Sequence, residues 1–192
     1  MNTSTKMIIV LTLIAALSGS VLSMWDGVTA PLIEANRLKV LKAAISEVLP
    51  TYERYDEVQV RDDIILYVGK DTSDATVGVA FKAKGNGFSP DLTLMVGINP
   101  DFTSLTGIEV LEQTETPGLG NKIEEDEFKT QFIGLITDEQ KAKVVKNVKP
   151  DDPTRGIQAI SGATISSKAV VDIIWSQIDV VRELYATKVA GS

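Results

Sequence analysis

Glycine, small and hydroxyl-bearing residues are concentrated in two short segments of this sequence. The first segment is Ser161-Gly162-Ala163-Thr164-Ile165-Ser166-Ser167, which follows a predicted strand at 157–160 and precedes a predicted helix. Free backbone N–H groups and the helix dipole favour a phosphate at such a helix start, and Gly162 and Ala163 leave room for its close approach. The four hydroxyls can donate hydrogen bonds to it. A helix cap formed by Thr164 or Ser166 explains the same residues without a ligand.

The second segment is Glu115-Thr116-Pro117-Gly118-Leu119-Gly120, directly after a predicted strand at 105–111. A proline with two nearby glycines fixes a tight loop with exposed backbone amides. Such a loop could line a planar ligand or simply reverse the chain. Taken alone, neither segment decides between a binding site and a structural turn.

The composition excludes several kinds of chemistry. The chain has 192 residues, no Cys, no His and a formal net charge of −7. Thiolate-held clusters, attached haem, Cys/His zinc sites and Ser-His-Asp or Cys-His nucleophiles are therefore excluded. The acidic balance argues against nucleic acid as a partner. Redox chemistry would need an organic cofactor or a carboxylate-bound metal, and the sequence predicts no specific metal site.

The N-terminal segment is predicted to be a transmembrane anchor. Residues 7–25 carry no charge, and as a helix they would extend about 28 Å, close to the roughly 30 Å of a hydrocarbon core. A cleaved signal peptide is the alternative, because Lys6 precedes the apolar run and 15–23 is rich in small residues. Lys6 favours residues 1–6 in the cytoplasm and residues 26–192 outside it.

The soluble part is predicted to be one α+β domain. A helix at 31–49, ended by Pro50, carries apolar residues expected in the core. Alternation and turn signals then predict an antiparallel meander, and helical spacing predicts helices beside it. The predicted strands are 64–68, 76–83, 92–98 and 105–111, and the predicted helices are 122–133, 137–146 and a long one after 167.

Together with the anchor, both segments and the hairpin KGNGFSPDLTLMVG at 84–97 match a known family. The sequence resembles the G subunit of the Rnf electron-transport complex. More broadly, it resembles the membrane-anchored FMN-binding domains that include the C subunit of the sodium-pumping NADH:quinone reductase. The resemblance covers nearly the whole chain. It implies an FMN-binding domain over 26–192, on the extracytoplasmic or periplasmic side of the cytoplasmic (inner) membrane.

The resemblance implies FMN joined to Thr164 by a phosphoester. A separate flavin transferase, using FAD and Mg²⁺, would attach it. The other implied FMN contacts are Ser161, Gly162, Ala163, Ile165, Ser166, Ser167, Glu115, Thr116, Gly118 and Leu119. Members of the family often have an acidic residue where this chain has Gln158, and a His where it has Thr114. Asp151 or Asp152 could take the acidic role.

The function implied is electron transfer without a catalytic side chain. The chain would relay electrons among the other subunits of a membrane-bound, Rnf-type ferredoxin:NAD⁺ oxidoreductase that translocates sodium ions or protons. One alternative is the C subunit of a sodium-translocating NADH:quinone reductase, although those chains are generally longer than 192 residues. Another is a cofactor-free, membrane-anchored binding or assembly domain in which Thr164 merely caps a helix.

Overall fold

The structure is a computed structural model that describes residues 2–49 and 51–188. Met1, Pro50 and residues 189–192 lie outside the described residues. The predicted end of a helix at Pro50 and the extreme ends of the predicted cytoplasmic segment and soluble domain fall on these residues. The chain divides into two compact units, Met1–Leu41 and Lys42–Ser192.

A single helix, α1 (Thr3–Val48), replaces the separate anchor and helix expected from the sequence. It is long and apolar enough to cross a membrane, with a mean hydropathy of 2.3 over its most apolar stretch. Of the apolar stripe predicted for the core, Ala44, Ile45 and Val48 are buried, but Leu32 and others in the first unit are exposed. The prediction was wrong there because that unit is one helix, and a lone helix has no second layer to cover its apolar side chains.

Five strands form an antiparallel sheet in the order β1-β2-β3-β4-β5, which confirms the predicted meander. The strands are β1 (Arg54–Arg61), β2 (Ile64–Lys70), β3 (Thr76–Gly85), β4 (Leu92–Ile98) and β5 (Leu105–Glu112). Strand β1 was not among the strands predicted from the sequence. Its sequence RYDEVQVR is largely polar because it is an edge strand in which Val60 alone is fully buried.

The segment after the sheet differs from the two helices predicted for it. The predicted helix at 122–133 is broken into a 3-10 helix, a short α2 and a second 3-10 helix, whose bounds are Gly120–Glu124, Asp126–Lys129 and Thr130–Phe132. The predicted helix at 137–146 is wrong. The carboxylate of Asp138 accepts the backbone N–H of Gln140, a local turn that competes with helix formation, and β6 (Lys143–Val145) follows.

The long C-terminal helix covers the sheet as expected. Strand β7 (Gly156–Gln158) pairs in parallel with β6, and α3 (Thr164–Lys188) follows the small-residue turn. One hydrophobic cluster joins the buried sheet residues to the apolar face of α3. The approach is close: a Cβ on Gly85 would lie 2.5 Å from Cγ1 of Ile173. The α+β fold class is therefore confirmed.

Arg182 ties the second half of α3 to two connecting segments. Its guanidinium donates to the carbonyl of Phe102 at 3.2 Å and to the carbonyl of Thr137 at 2.7 Å. The hydroxyl of Thr137 also donates to the Phe102 carbonyl, at 2.8 Å. These bonds satisfy main-chain groups that lie outside the regular ladder of the sheet.

Replacing Arg182 by Ala should lower the free energy of unfolding by about 1–2 kcal/mol, because two carbonyls lose a charged donor. Arg54→Ala is the matched control, since its ion pair with Asp74 is 62% and 64% exposed. That control should change the free energy by less than about 1 kcal/mol. Urea unfolding of the detergent-solubilised chain, followed by near-ultraviolet circular dichroism, measures both. Equal losses in the two variants would contradict the assigned role of Arg182.

Candidate functional site

The turn between β7 and α3 is held from within by Ser167. The Ser167 hydroxyl accepts the backbone N–H of Ile160 at 3.0 Å and donates to the carbonyl of Ala163 at 3.0 Å. The N–H of Ala163 closes the turn on the carbonyl of Ile160, at 3.0 Å. Gly162 has a φ of 80°, which glycine adopts without strain. This turn fixes where α3 begins.

The first backbone N–H groups of α3 remain available. Among the described residues, the N–H groups of Thr164, Ile165 and Ser166 have no hydrogen-bond partner. These are the donors that every helix leaves unpaired at its N-terminus, and the helix dipole adds partial positive charge there. The start of α3 can therefore receive an anionic oxygen.

Glu115 is a buried carboxylate that joins three segments. It is 5% exposed. Its Oε1 accepts the backbone N–H of Ser89 at 3.0 Å, and its Oε2 accepts the hydroxyl of Ser166 at 2.7 Å. The β3–β4 connection, the loop at 115–120 and the first turn of α3 therefore meet at one side chain.

Two glycines make room for this carboxylate. A Cβ on Gly87 would lie 2.0 Å from Oε1 of Glu115. A Cβ on Gly120 would lie 2.4 Å from Oε2 of Glu115 and 2.8 Å from Oγ of Ser166. Real Cβ atoms do not approach other heavy atoms this closely, so any side chain at either position would displace the carboxylate.

The loop at 115–120 is a tight turn around Thr116. The Thr116 carbonyl accepts the N–H groups of Leu119 at 3.2 Å and Asn121 at 3.3 Å. The N–H of Gly118, whose φ is 76°, donates to Oδ1 of Asn121 at 2.7 Å. The loop therefore holds its shape through its own backbone and faces the start of α3.

These segments enclose a cleft of about 310 Å³. It brings together eight of the residues predicted for the site, namely Glu115, Thr116, Leu119, Gly162, Ala163, Thr164, Ile165 and Ser166. Three predicted residues do not line it: Gly118 is exposed, Ser167 is buried in the turn, and Ser161 borders a neighbouring depression. The cleft also includes Phe88 and Gly120, which were not among the predicted contacts. The signal for Phe88 is an aromatic residue between turn residues in the hairpin at 84–97.

The rim of the cleft is apolar and exposed. Phe88, Leu119 and Ile165 are 66%, 45% and 59% exposed. They are three of the seven large apolar side chains that are exposed among the described residues after Thr51. Apolar side chains gathered at one concave site mark a binding surface.

The four hydroxyls of the segment at 161–167 have different surroundings. Those of Ser166 and Ser167 are buried and already hydrogen-bonded. Ser161 is exposed beside Gln158. The hydroxyl of Thr164 is half-buried, lines the cleft and has no hydrogen bond to any described residue. Of these four, Thr164 is therefore the one free hydroxyl inside the cleft.

The positions that depart from the family pattern lie around the cleft without lining it. The backbone N–H of Gln158 donates to Oε1 of Gln131 at 2.7 Å. The hydroxyl of Thr114 donates to the carbonyl of Pro90 at 2.6 Å. Asp151 and Asp152 lie in a separate depression with Arg155. Hydrogen bonds donated by the Thr154 side chain and backbone lower the pKa of Asp152.

Comparisons with known proteins agree on one domain type. Residues 87–179 match the FMN-binding domain family. The G subunit of the ion-translocating oxidoreductase complex of Methanosarcina acetivorans is 34% identical over 92% of this chain and 94% of its own. The G subunit of the Na⁺-translocating ferredoxin:NAD⁺ oxidoreductase complex of Acetobacterium woodii is 28% identical over 93% of this chain and 92% of its own. The crystal structure of the C subunit of the Na⁺-translocating NADH-quinone reductase from Parabacteroides distasonis is similar, with a TM-score of 0.54 and 25% identity, over 63% of this chain and 62% of that chain.

Ser166→Ala should lower the free energy of unfolding by about 1–3 kcal/mol, because a buried carboxylate oxygen loses its donor. Ser161→Ala removes the same atom from an exposed position and should change it by about 0.5 kcal/mol or less. Thermal and urea unfolding of both variants test this difference. If the two losses are alike, the Glu115–Ser166 hydrogen bond does not hold the cleft together.

Proposed function

Since this chain belongs to the family of G subunits of ion-translocating oxidoreductase complexes, we propose that it carries FMN in the cleft between the loop at 115–120 and the start of α3. In this role, the chain is the subunit that relays electrons between the other redox groups of a ferredoxin:NAD⁺ oxidoreductase complex. The observation that carries the proposal is the free hydroxyl of Thr164, at a helix start and inside an apolar-rimmed cleft.

The residues of the cleft fit the chemical groups of FMN. The unpaired N–H groups of Thr164, Ile165 and Ser166 suit a phosphate. The exposed side chains of Phe88 and Leu119 suit the faces or edges of a flat aromatic ring. No cation needs to be invoked to hold the phosphate, because the helix start supplies both donors and positive potential.

We further propose that the FMN phosphate is joined to Thr164 by a phosphoester. The hydroxyls of Ser166 and Ser167 are occupied by Glu115 and by the turn, which leaves Thr164 as the hydroxyl of the helix start that can react within the cleft. A separate flavin transferase that requires Mg²⁺ moves the FMN group from FAD: the Thr164 oxygen bonds to the FMN phosphorus, the pyrophosphate bond of FAD breaks, and AMP leaves. Asp151 and Asp152 lie in another depression, away from the Thr164 hydroxyl, and have no part in the attachment.

When bound, FMN supplies one-electron and two-electron transfer. The chain itself positions the ligand and sets its surroundings. Its apolar rim excludes water from part of the cleft, while the open side lets a neighbouring redox group approach. Electron transfer through FMN needs no side chain of the protein to act as an acid or a base.

The first part of α1 anchors the chain in the membrane. We propose that residues 1–6 lie in the cytoplasm, that residues 7–25 cross the membrane, and that residues 26–192 lie outside the cytoplasm. The span carries no Asp, Glu, Lys or Arg, so ions cross the membrane through other subunits.

The C subunit of a sodium-translocating quinone reductase is the second candidate, favoured by the similar fold of the solved protein of that type. The alignment with the G subunit from Methanosarcina acetivorans, which covers nearly all of both chains, favours the first. The two candidates share the flavin site and differ in the partners of the chain.

The full chain, co-expressed with its flavin transferase, should gain the mass of FMN less one water, because one phosphoester forms. Thr164→Ala should abolish the gain, whereas Ser161→Ala should keep it, since that hydroxyl lies outside the cleft. Intact-mass spectrometry measures all three. If the wild type gains no mass although the transferase modifies another substrate, the covalent assignment fails. A mass gain in Thr164→Ala would place the attachment elsewhere.

The absence of cysteine allows a direct test of membrane orientation. We expect a membrane-impermeant maleimide to label Asp62→Cys in right-side-out spheroplasts, because the β1–β2 turn lies outside the cytoplasm in the proposed orientation. Ser4→Cys should be labelled only after the membrane is opened. Labelling of position 4 and protection of position 62 in sealed spheroplasts would reverse the orientation.

A further inference from the structure

The cleft contains one charged side chain among its described lining residues. Of the ten residues that line it, Glu115 alone is ionisable. It is 5% exposed and takes part in none of the ion pairs between described residues. We infer that Glu115 is a fixed negative charge that lowers the reduction potential of the flavin held in this cleft. This inference rests on the proposed function.

Neither hydrogen bond of Glu115 involves a positively charged group. Both oxygens act as acceptors, one toward the backbone N–H of Ser89 and one toward the hydroxyl of Ser166. Both donors are neutral groups, so they stabilise the charge without cancelling it.

The carboxylate of Glu115 lies in the wall of the cleft and is poorly screened by solvent. Glu115 lines the cleft itself, and burial keeps water and salt ions from surrounding it. An interaction between charges is several times stronger in such surroundings than in water. Reduction adds electrons to the ligand in the cleft, and a negative charge in the wall opposes that step. The carboxylate therefore favours the oxidised form.

Gln is the substitution that separates the charge from the shape of the site. In Glu115→Gln, the amide oxygen can still accept the N–H of Ser89. The amide nitrogen can donate to Oγ of Ser166, because a hydroxyl accepts as well as it donates. The glycines at 87 and 120 still accommodate a side chain of this size. We therefore expect this variant to fold and to take up flavin.

The test is a reductive titration of the flavin-loaded chain against a reference dye, followed by flavin absorbance. We expect the midpoint potential of Glu115→Gln to be higher than that of the wild type by at least about 30 mV. For a two-electron couple, this difference corresponds to a tenfold change in the equilibrium constant for reduction. Glu139→Gln makes the same change at an exposed carboxylate that does not line the cleft, and its potential should match that of the wild type.

Two outcomes overturn the inference. Either Glu115→Gln keeps the wild-type potential, or Glu139→Gln shifts as much, which would show a general effect of net charge. Both outcomes leave the proposed function intact, because the chain still carries flavin. A wild-type chain that takes up no flavin, by mass and by colour, refutes the proposed function itself.

Ser166→Ala gives a second measurement if Glu115→Gln carries too little flavin to titrate. It keeps the carboxylate but removes one of the two groups that disperse its charge. The potential should then fall below that of the wild type. An unchanged or higher potential in Ser166→Ala would contradict the inference.

Discussion

The site depends on the two hydrogen bonds accepted by the buried carboxylate of Glu115. They connect residues 26 and 51 positions apart in the sequence, so the side chain joins a hairpin connection, a loop and the first turn of a helix. Leaving either oxygen without its donor inside the protein costs free energy, which holds the three segments in one arrangement. The need for space around the carboxylate also explains why Gly87 and Gly120 carry no side chain.

The parts of the fold with regular apolar periodicity were predictable from the sequence. Four strands of the sheet and the helix α3 (Thr164–Lys188) follow from alternation and from helical spacing. The edge strand at Arg54–Arg61 was not recognised, because an edge strand needs few buried residues. The segment at 137–146 has the composition of a helix, but the turn at Asp138 and the pairing of Lys143–Val145 with Gly156–Gln158 override that preference.

The candidate site was predictable as two segments but not as one cleft. Glycine and hydroxyl content identified the loop at 115–120 and the turn at 161–167. Their contact through Glu115 and Ser166 could not be derived from periodicity, because it depends on how the sheet and α3 pack. The place of Phe88 in the cleft also depends on packing and could not be derived from periodicity. Its exposure at the rim follows from a hairpin connection that Glu115 holds against the cleft.

Packing also decides which hydroxyl is available for chemistry. Ser166 and Thr164 are two residues apart on the same helical turn, and residues at this spacing face different directions. Ser166 therefore points to the buried carboxylate, while Thr164 lines the open cleft. The hydrogen bond from Ser166 to Glu115 thus occupies the Ser166 hydroxyl. It also holds the start of the helix so that the Thr164 hydroxyl stays accessible from the cleft. Under the proposed function, the chain itself selects its site of attachment, because the fold leaves one hydroxyl of the helix start both free and within reach of the cleft.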